Sequence, residues 1–138
     1  MYTCASSDIL TTLKRDFLVT NILPEAEAML ENALHVREPA TEALRLNFNE
    51  CGYVQVPAGV KNPGVTNQDL LVFVTAWAVP ASQSTLAYAI SCAVDSLGRP
   101  VGGQINFAPH QLQAEASKLR FQVVSNKKIK RSAARFNC

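Results

Sequence analysis

The sequence predicts an α+β domain. An amphipathic stretch with three- and four-residue apolar spacing opens the chain, two strongly apolar runs of strand character occupy its middle, and helical spacing returns near Leu112. The chain has 138 residues, 48% hydrophobic and 17% charged, which is the balance of a globular domain rather than a disordered one. That length suits one domain with a core of modest stability.

The opening element begins with N-cap chemistry at Ser6, Ser7 and Asp8. Leu13, Phe17, Leu18, Ile22, Ala26, Leu30 and Leu34 then recur on one face, which predicts a helical stretch from Thr11 to His35. Pro24 falls inside it. Proline removes a backbone donor and kinks a helix, or else opens a second helix with Glu25 and Glu27 in its first turn. One kinked helix is the expectation.

Glu38-Pro39 ends that pattern. Leu44, Leu46 and Phe48 alternate with Arg45 and Asn47, as in a half-buried strand, and Tyr53 to Val56 reads as another short strand. Pro57, Gly59, Pro63 and Gly64 mark a loop. Leu70 to Trp77 is an almost continuous apolar run, as in a strand covered on both faces. Leu86 to Val94 is a second strand, joined to the first by a turn at Pro80 to Ser84. A turn at Asp95 to Pro100 precedes a short strand, Gln104 to Phe107, closed by Pro109. Finally Leu112, Ala116, Leu119 and Val123 form one face of a helix whose apolar stripe is lost in Ser125-Asn126-Lys127-Lys128-Ile129-Lys130-Arg131.

Charge divides the chain at the same place. Residues 1–124 hold all 11 acidic residues and eight of the 13 basic ones, a net charge of −3. Lys127, Lys128, Lys130, Arg131 and Arg135 follow without an acid among them. The expectation is a body at 1–124 and a basic tail at 125–138 outside the fold. Such a tail can serve nucleic-acid binding, but Phe136 is its only aromatic, so base stacking has little to use and no nucleic-acid partner is expected. No apolar run approaches the roughly 18 residues of a membrane helix, and Met1 to Cys4 has no signal-peptide pattern. Read literally, this is a cytosolic chain, a reading that the cysteines put in question.

Cys4, Cys51, Cys92 and Cys138 form no Cys-x-x-Cys pair and lie far from the histidines His35 and His110, which argues against a zinc finger. Spacing leaves open either buried free thiols or a Cys51–Cys92 disulfide. His35 at a helix end and His110 after Pro109 are read as structural rather than as metal ligands. No GxGxxG, Walker, GxSxG or HExxH motif occurs, and Gly102-Gly103 reads as a bulge or close backbone approach. There is no internal repeat and no N-x-S/T site.

The ordered strings carry more information. Cys51-Gly52 with Val56-Pro57, Gly64-Val65-Thr66-Asn67-Gln68-Asp69, Cys92, Gly98-Arg99-Pro100 and Ile105-Asn106-Phe107-Ala108-Pro109 follow one another, after an opening of Cys4, Asp8-Ile9-Leu10-Thr11, Lys14-Arg15-Asp16 and Leu23-Pro24. This order resembles the leishmanolysin family, the surface zinc metalloproteases of kinetoplastid parasites, over residues 4–124. The wording around Asn106 to His110 is more similar to trypanosome members than to Leishmania ones.

The resemblance implies the N-terminal part of a metzincin-like zinc-protease module, with a backing helix on a twisted mixed sheet. It implies a Cys51–Cys92 disulfide, a Cys4 whose partner lies upstream and is missing here, and a location that is secreted or at the cell surface. Thr85 to Cys92 would lie near the sheet edge, where Leu86, Tyr88 and Ile90 would hold a protein or peptide substrate by β-augmentation. In the family the next helix carries His-Glu-x-x-His, which binds zinc and supplies the general base. Here Ser125 to Arg131 stands in that slot, and lysine and arginine cations repel zinc. The active-site helix is therefore expected to be incomplete, with no catalytic or metal residue and no bound zinc in this chain. A reading frame lost near Val124 would account for the tail. The expected function is that of a leishmanolysin-like endopeptidase fragment, inactive alone; the alternatives are a non-enzymatic adhesion or peptide-binding fragment and a basic-tailed nucleic-acid binder.

Overall fold

The structure is a computed structural model that describes residues 3–33, 41–80, 84–112, 129–132 and 136–137. It is α+β: a long bent helix lies against one face of a mixed sheet, and a small β-hairpin with its flanking loops covers the other.

The helix begins later than its first N-cap candidates. Ser6–Asp8 forms a 3-10 turn of its own, and Thr11 caps α1 (Thr12–Phe17) by accepting from the Lys14 N–H at 3.3 Å. The expected kink takes a definite form. A π-helical turn, Leu18–Ile22, separates α1 from α2 (Leu23–Ala33), and the Leu23 N–H reaches back to the Leu18 carbonyl. Pro24 has no N–H, and its ring would meet the carbonyl four residues earlier; widening the preceding turn accommodates both. The helix buries Leu18 and Leu30. Leu18 joins Val74, Phe107 and Leu112, with Leu10, Ile22, Leu23, Ala87 and Ile105 packed around them. The end of the expected helix, including His35, lies outside the described residues.

Leu44, Leu46 and Phe48 do not form the expected strand. Leu44 makes a single antiparallel bridge to Val65, and the Leu46 N–H donates to the Val60 carbonyl. The alternation still reports burial: Leu46 is buried while Arg45 and Asn47 are exposed. Period-two burial needs only an extended backbone over a core, not a partner strand. Next comes a tight hairpin of β1 (Glu50–Cys51) and β2 (Val54–Gln55), registered Glu50↔Gln55 and Cys51↔Val54. Its two-residue loop is Gly52-Tyr53, with Gly52 at φ 58°, the place a II′ turn reserves for glycine. The Pro/Gly-rich loop then contains one helical turn, α3 (Ala58–Lys61).

The main sheet is built on β3 (Leu70–Trp77), β4 (Ala87–Val94) and β5 (Pro100–Phe107). β5 lies between the other two, parallel to β3 and antiparallel to β4. β3 and β4 are therefore not the neighbours that a turn between them implies; residues 81–83 lie outside the described set. β5 is also longer than the expected Gln104 to Phe107, because it takes in Gly102-Gly103. A Cβ on Gly103 would sit 2.7 Å from the Ile90 carbonyl oxygen, so the doublet is a close backbone approach within a strand. The register slips between Ser91 and Ala93 on β4, opposite that doublet. The Asp95–Arg99 turn closes the β4–β5 hairpin, with Gly98 at φ 75°.

The basic tail departs from its expectation. β6 (Ile129–Ser132) and β7 (Phe136–Asn137) both pair with β3 in parallel, from Leu70↔Ile129 to Trp77↔Asn137. An unpaired side of β3 offers backbone donors and acceptors that a positively charged segment can satisfy as well as any other. The helix expected from Leu112 to Val123 lies outside the described residues beyond Leu112.

Candidate functional site: the outer edge of β4

β4 is an edge strand among the described residues: β5 pairs with one side of it, and nothing pairs with the other. The direction of its backbone follows from the register. The Ala108 N–H donates to the Leu86 carbonyl at 2.9 Å, so Leu86/Ala108 is a hydrogen-bonded pair. Antiparallel pairs alternate, which makes Tyr88/Asn106 and Ile90/Gln104 hydrogen-bonded as well. The N–H and C=O groups of Ala87, Ala89 and Ser91 therefore point away from the sheet.

This refines the sequence reading. Leu86, Tyr88 and Ile90, the residues expected to hold a peptide, share one face of the strand, and their backbone groups are committed to β5. Their side chains flank the edge, and the small residues between them present its hydrogen-bonding groups. The small side chains lie on the helix-facing side. There an open depression of about 240 Å³ is lined by Leu70, Val72, Ala89, Ser91, Gly103 and Ile105, among others.

On the other face the hairpin is fastened to the edge. Cys51 and Cys92 form a disulfide with a Cα–Cα distance of 5.5 Å. A buried polar chain runs beneath it. The Tyr53 N–H donates to Gln104 Oε1 at 3.1 Å, and Gln104 Nε2 donates to Thr75 Oγ1 at 2.8 Å. Thr75 Oγ1 donates to Asn106 Oδ1 at 2.8 Å. Asn106 also pairs through its side-chain amide with the Trp77 N–H and C=O, at 2.8 and 3.1 Å, extending the β3–β5 ladder by one step. Gln104, Asn106 and Thr75 are all at most 1% exposed, and the chain satisfies each of them. A Cβ on Gly52 would overlap the Gln104 side chain, a second reason for glycine there.

The Tyr53 ring lies 5.5 Å from that of Trp77, tilted by 32°. Tyr88 is its neighbour on β4. Burial first, and the neighbouring Tyr53 second, push the Tyr88 hydroxyl above its ordinary titration range.

A second polar cluster ties the N-terminal turn to the end of β5. Asp8, 1% exposed, accepts from the Ala5 N–H at 2.8 Å, and His110 Nδ1 lies 3.3 Å from its other oxygen. Lys14 Nζ donates to the carbonyls of Pro109 and Ser7 at 2.7 and 2.9 Å. His110 is thus a packed partner of a buried carboxylate. Cys4, expected to lack a partner, is itself disulfide-bonded. Cys138 lies outside the described residues.

Sequence reasoning missed Gln104, Asn106 and Thr75. One signal was present: Gln104 and Asn106 occupy alternate positions in an otherwise apolar strand, so they share a face. Tyr53 gave no signal of its own, since its placement depends on the disulfide and the turn.

The leishmanolysin (peptidase M8) family profile matches residues 1–129. The leishmanolysin of Leishmania amazonensis is 32% identical over 126 residues, which cover 90% of this chain and 21% of that protein. The leishmanolysin of Leishmania donovani is 31% identical over 125 residues, covering 89% and 21%. A leishmanolysin homolog of Crithidia fasciculata is 34% identical over 105 residues, covering 75% and 16%. The chain thus spans about a fifth of the length of the Leishmania relatives it matches.

Proposed function

The chain belongs to the leishmanolysin family, and from that premise we propose that it is the substrate-holding part of a zinc metalloendopeptidase module. An extended peptide adds to the outer edge of β4 as a further strand. The outward N–H and C=O groups of Ala87, Ala89 and Ser91 carry this reading, because they supply the hydrogen bonds of β-augmentation. Side chains of such a peptide would alternate between the Tyr88/Ile90 face and the small-residue face. The helix α1–α2 is the backing helix of the metzincin-like arrangement, and the family-like body is placed at residues 1–124.

Family membership implies zinc-activated water as the nucleophile in the complete enzyme. The residues present do not fit that metal. A zinc site takes three or four His, Cys, Asp or Glu ligands, and among the described residues no three such groups come together. Asp8 and His110 are two, facing each other. No HExxH occurs in the sequence. The role these residues support is peptide holding rather than hydrolysis. A surface or secreted location follows from the family alone; among the described residues no helix is long and apolar enough to cross a membrane.

The same edge supports a non-enzymatic peptide-binding or adhesion role. The two roles separate on one experiment, in which the 138-residue chain is mixed with an unstructured peptide substrate and cleavage, zinc content and amide exchange are followed together. The proposal expects slowed exchange at Ala87, Ala89 and Ser91 with no cleavage. One zinc per chain, or cleavage abolished by a chelator, would overturn the assignment of holding without hydrolysis; unchanged exchange at all three amides would overturn the edge itself.

A further inference from the structure

We propose that a second copy of this chain is a partner of β4: two β4 strands pair antiparallel about a two-fold axis at Ala89, and each copy closes the open edge of the other. The inference rests on the reading of β4 as an open edge, and it adds a partner and a consequence, concentration-dependent self-blocking of the groups that hold peptide.

The edge is bare. Ala89, Ile90 and Ser91 are exposed in succession. Successive side chains point to opposite faces, so three exposed in a row mark a place that neither face covers. Natural sheets guard such an edge with charge, with proline or with a covering segment. Residues 84–94 contain no charged residue and no proline. The register shift after Ser91 bounds the regular edge at that end.

The hydrogen-bond phase makes this edge complementary to itself. Its outward groups belong to Ala87, Ala89 and Ser91, with Ala89 in the middle. Turning a second strand about Ala89 sets Ala89 opposite its own copy, and Ala87 opposite Ser91 of the other copy. All three positions become hydrogen-bonded pairs, about six main-chain bonds in total. The same operation sets Tyr88 opposite Ile90 of the other copy, twice, in the closer non-hydrogen-bonded positions. An aromatic side chain facing a β-branched one is a favourable cross-strand pair. Sliding the second strand by one pair in either direction carries an outward residue past the start of β4 or into the register shift, and loses the Tyr88/Ile90 match.

Nothing charged opposes the pairing. Asp95 and Arg99, bonded to each other at 2.8 Å, lie beyond the paired segment. The hairpins fastened at Cys92 fall three residues to either side of the axis, roughly 20 Å apart along the strand. The contact is isologous, so it closes at two copies. A strand pair this short buries less than the roughly 1,200 Å² of a standing interface, which makes the dimer weak and dependent on concentration.

Sedimentation velocity of the full chain from about 1 µM to about 1 mM reads the assembly, with amide exchange at Ala87, Ala89 and Ser91 followed at both ends of the range. The proposal expects monomer to give way to dimer, with slowed exchange at the three amides. Ala89→Lys and Ala89→Glu, each facing its own copy across the axis, should each abolish the dimer. An equimolar mixture of the two should restore it, because opposite charges then face each other; misfolding of either variant would not produce that recovery. A blocked seven-residue peptide of alternating serine and threonine, at saturation, should dissociate the wild-type dimer. A dimer that survives both substitutions, a mixture that stays monomeric, or assembly beyond two copies overturns the two-fold pairing. A chain that is monomeric throughout, with the three amides slowed by peptide, overturns self-pairing and leaves the peptide-holding edge standing. No dimer and no slowing by peptide overturns both.

Discussion

Removal of the Cys51–Cys92 disulfide should cost the chain about 4 kcal/mol. The two cysteines are 41 residues apart in sequence, and closing a loop of that length in the unfolded state removes about 13 cal/mol/K on the chain-entropy relation, hence about 4 kcal/mol at room temperature. The bridge joins the β1–β2 hairpin to β4, so its loss also frees the turn that carries Tyr53. Because Cys4 is disulfide-bonded as well, chemical reduction would mix two effects, and the double variant Cys51→Ala/Cys92→Ala is the cleaner perturbation. Urea unfolding followed by Trp77 fluorescence is the assay. With a slope of about 2 kcal/mol/M for a chain of this size, the midpoint should fall by roughly 2 M. A fall of less than roughly 0.5 M would refute the reasoning, since it would mean that the hairpin is held by its hydrogen bonds and packing and that the covalent tie adds little.

The core packing gives a second expectation: Leu18→Ala, at the π turn between Val74, Phe107 and Leu112, should destabilise by about 2–5 kcal/mol in urea titrations. Gln104→Leu removes the partner of the Tyr53 N–H and one partner of Thr75 Oγ1, and should cost about 1–3 kcal/mol, with faster amide exchange at Tyr53 as its local signature. Asp95 is held below its ordinary carboxylate range, first by the backbone N–H of Arg99, which outweighs the opposing desolvation, and then by the Leu97 N–H and the Arg99 guanidinium. A folded-state value below the unfolded one stabilises above the unfolded value and is lost as pH falls through the folded one, so the β4–β5 turn should loosen on the acid side of the carboxylate range, and Asp95→Asn should flatten that dependence. Tyr88 is shifted the other way: its contribution is present below the ordinary tyrosine value and lost as pH rises through the raised one, which an ultraviolet titration of wild type against Tyr88→Phe measures.

Much of the fold was legible where burial and periodicity coincide. Leu70 to Trp77 reads as a strand covered on both faces, and it is one, with Leu71 through Ala76 all buried. The helix was legible too, because its apolar spacing crosses Pro24 without a break, although the π turn that accommodates the proline was not. Leu44 to Phe48 shows the limit of alternation, which reports an extended backbone over a core and says nothing of a partner. Strand order was invisible, since the apolar content of Leu86 to Val94 does not say whether β3 or β5 lies beside it. The site was half legible. Family resemblance pointed to Leu86, Tyr88 and Ile90 and to the disulfide, whereas the outward role of Ala87, Ala89 and Ser91 depends on hydrogen-bond phase, which only the register with β5 supplies. Tyr53 joins the site through tertiary ties with no local signature.

A proline scan of β4 tests the central claim most directly. Ala89→Pro removes an N–H that points away from the sheet, in a place where edge strands tolerate proline, whereas Tyr88→Pro removes one that bonds to β5. Peptide binding and urea midpoint are measured for both. The account predicts that Ala89→Pro keeps a near-native midpoint and loses peptide binding, while Tyr88→Pro loses stability. Unimpaired peptide binding by a folded Ala89→Pro chain would contradict it.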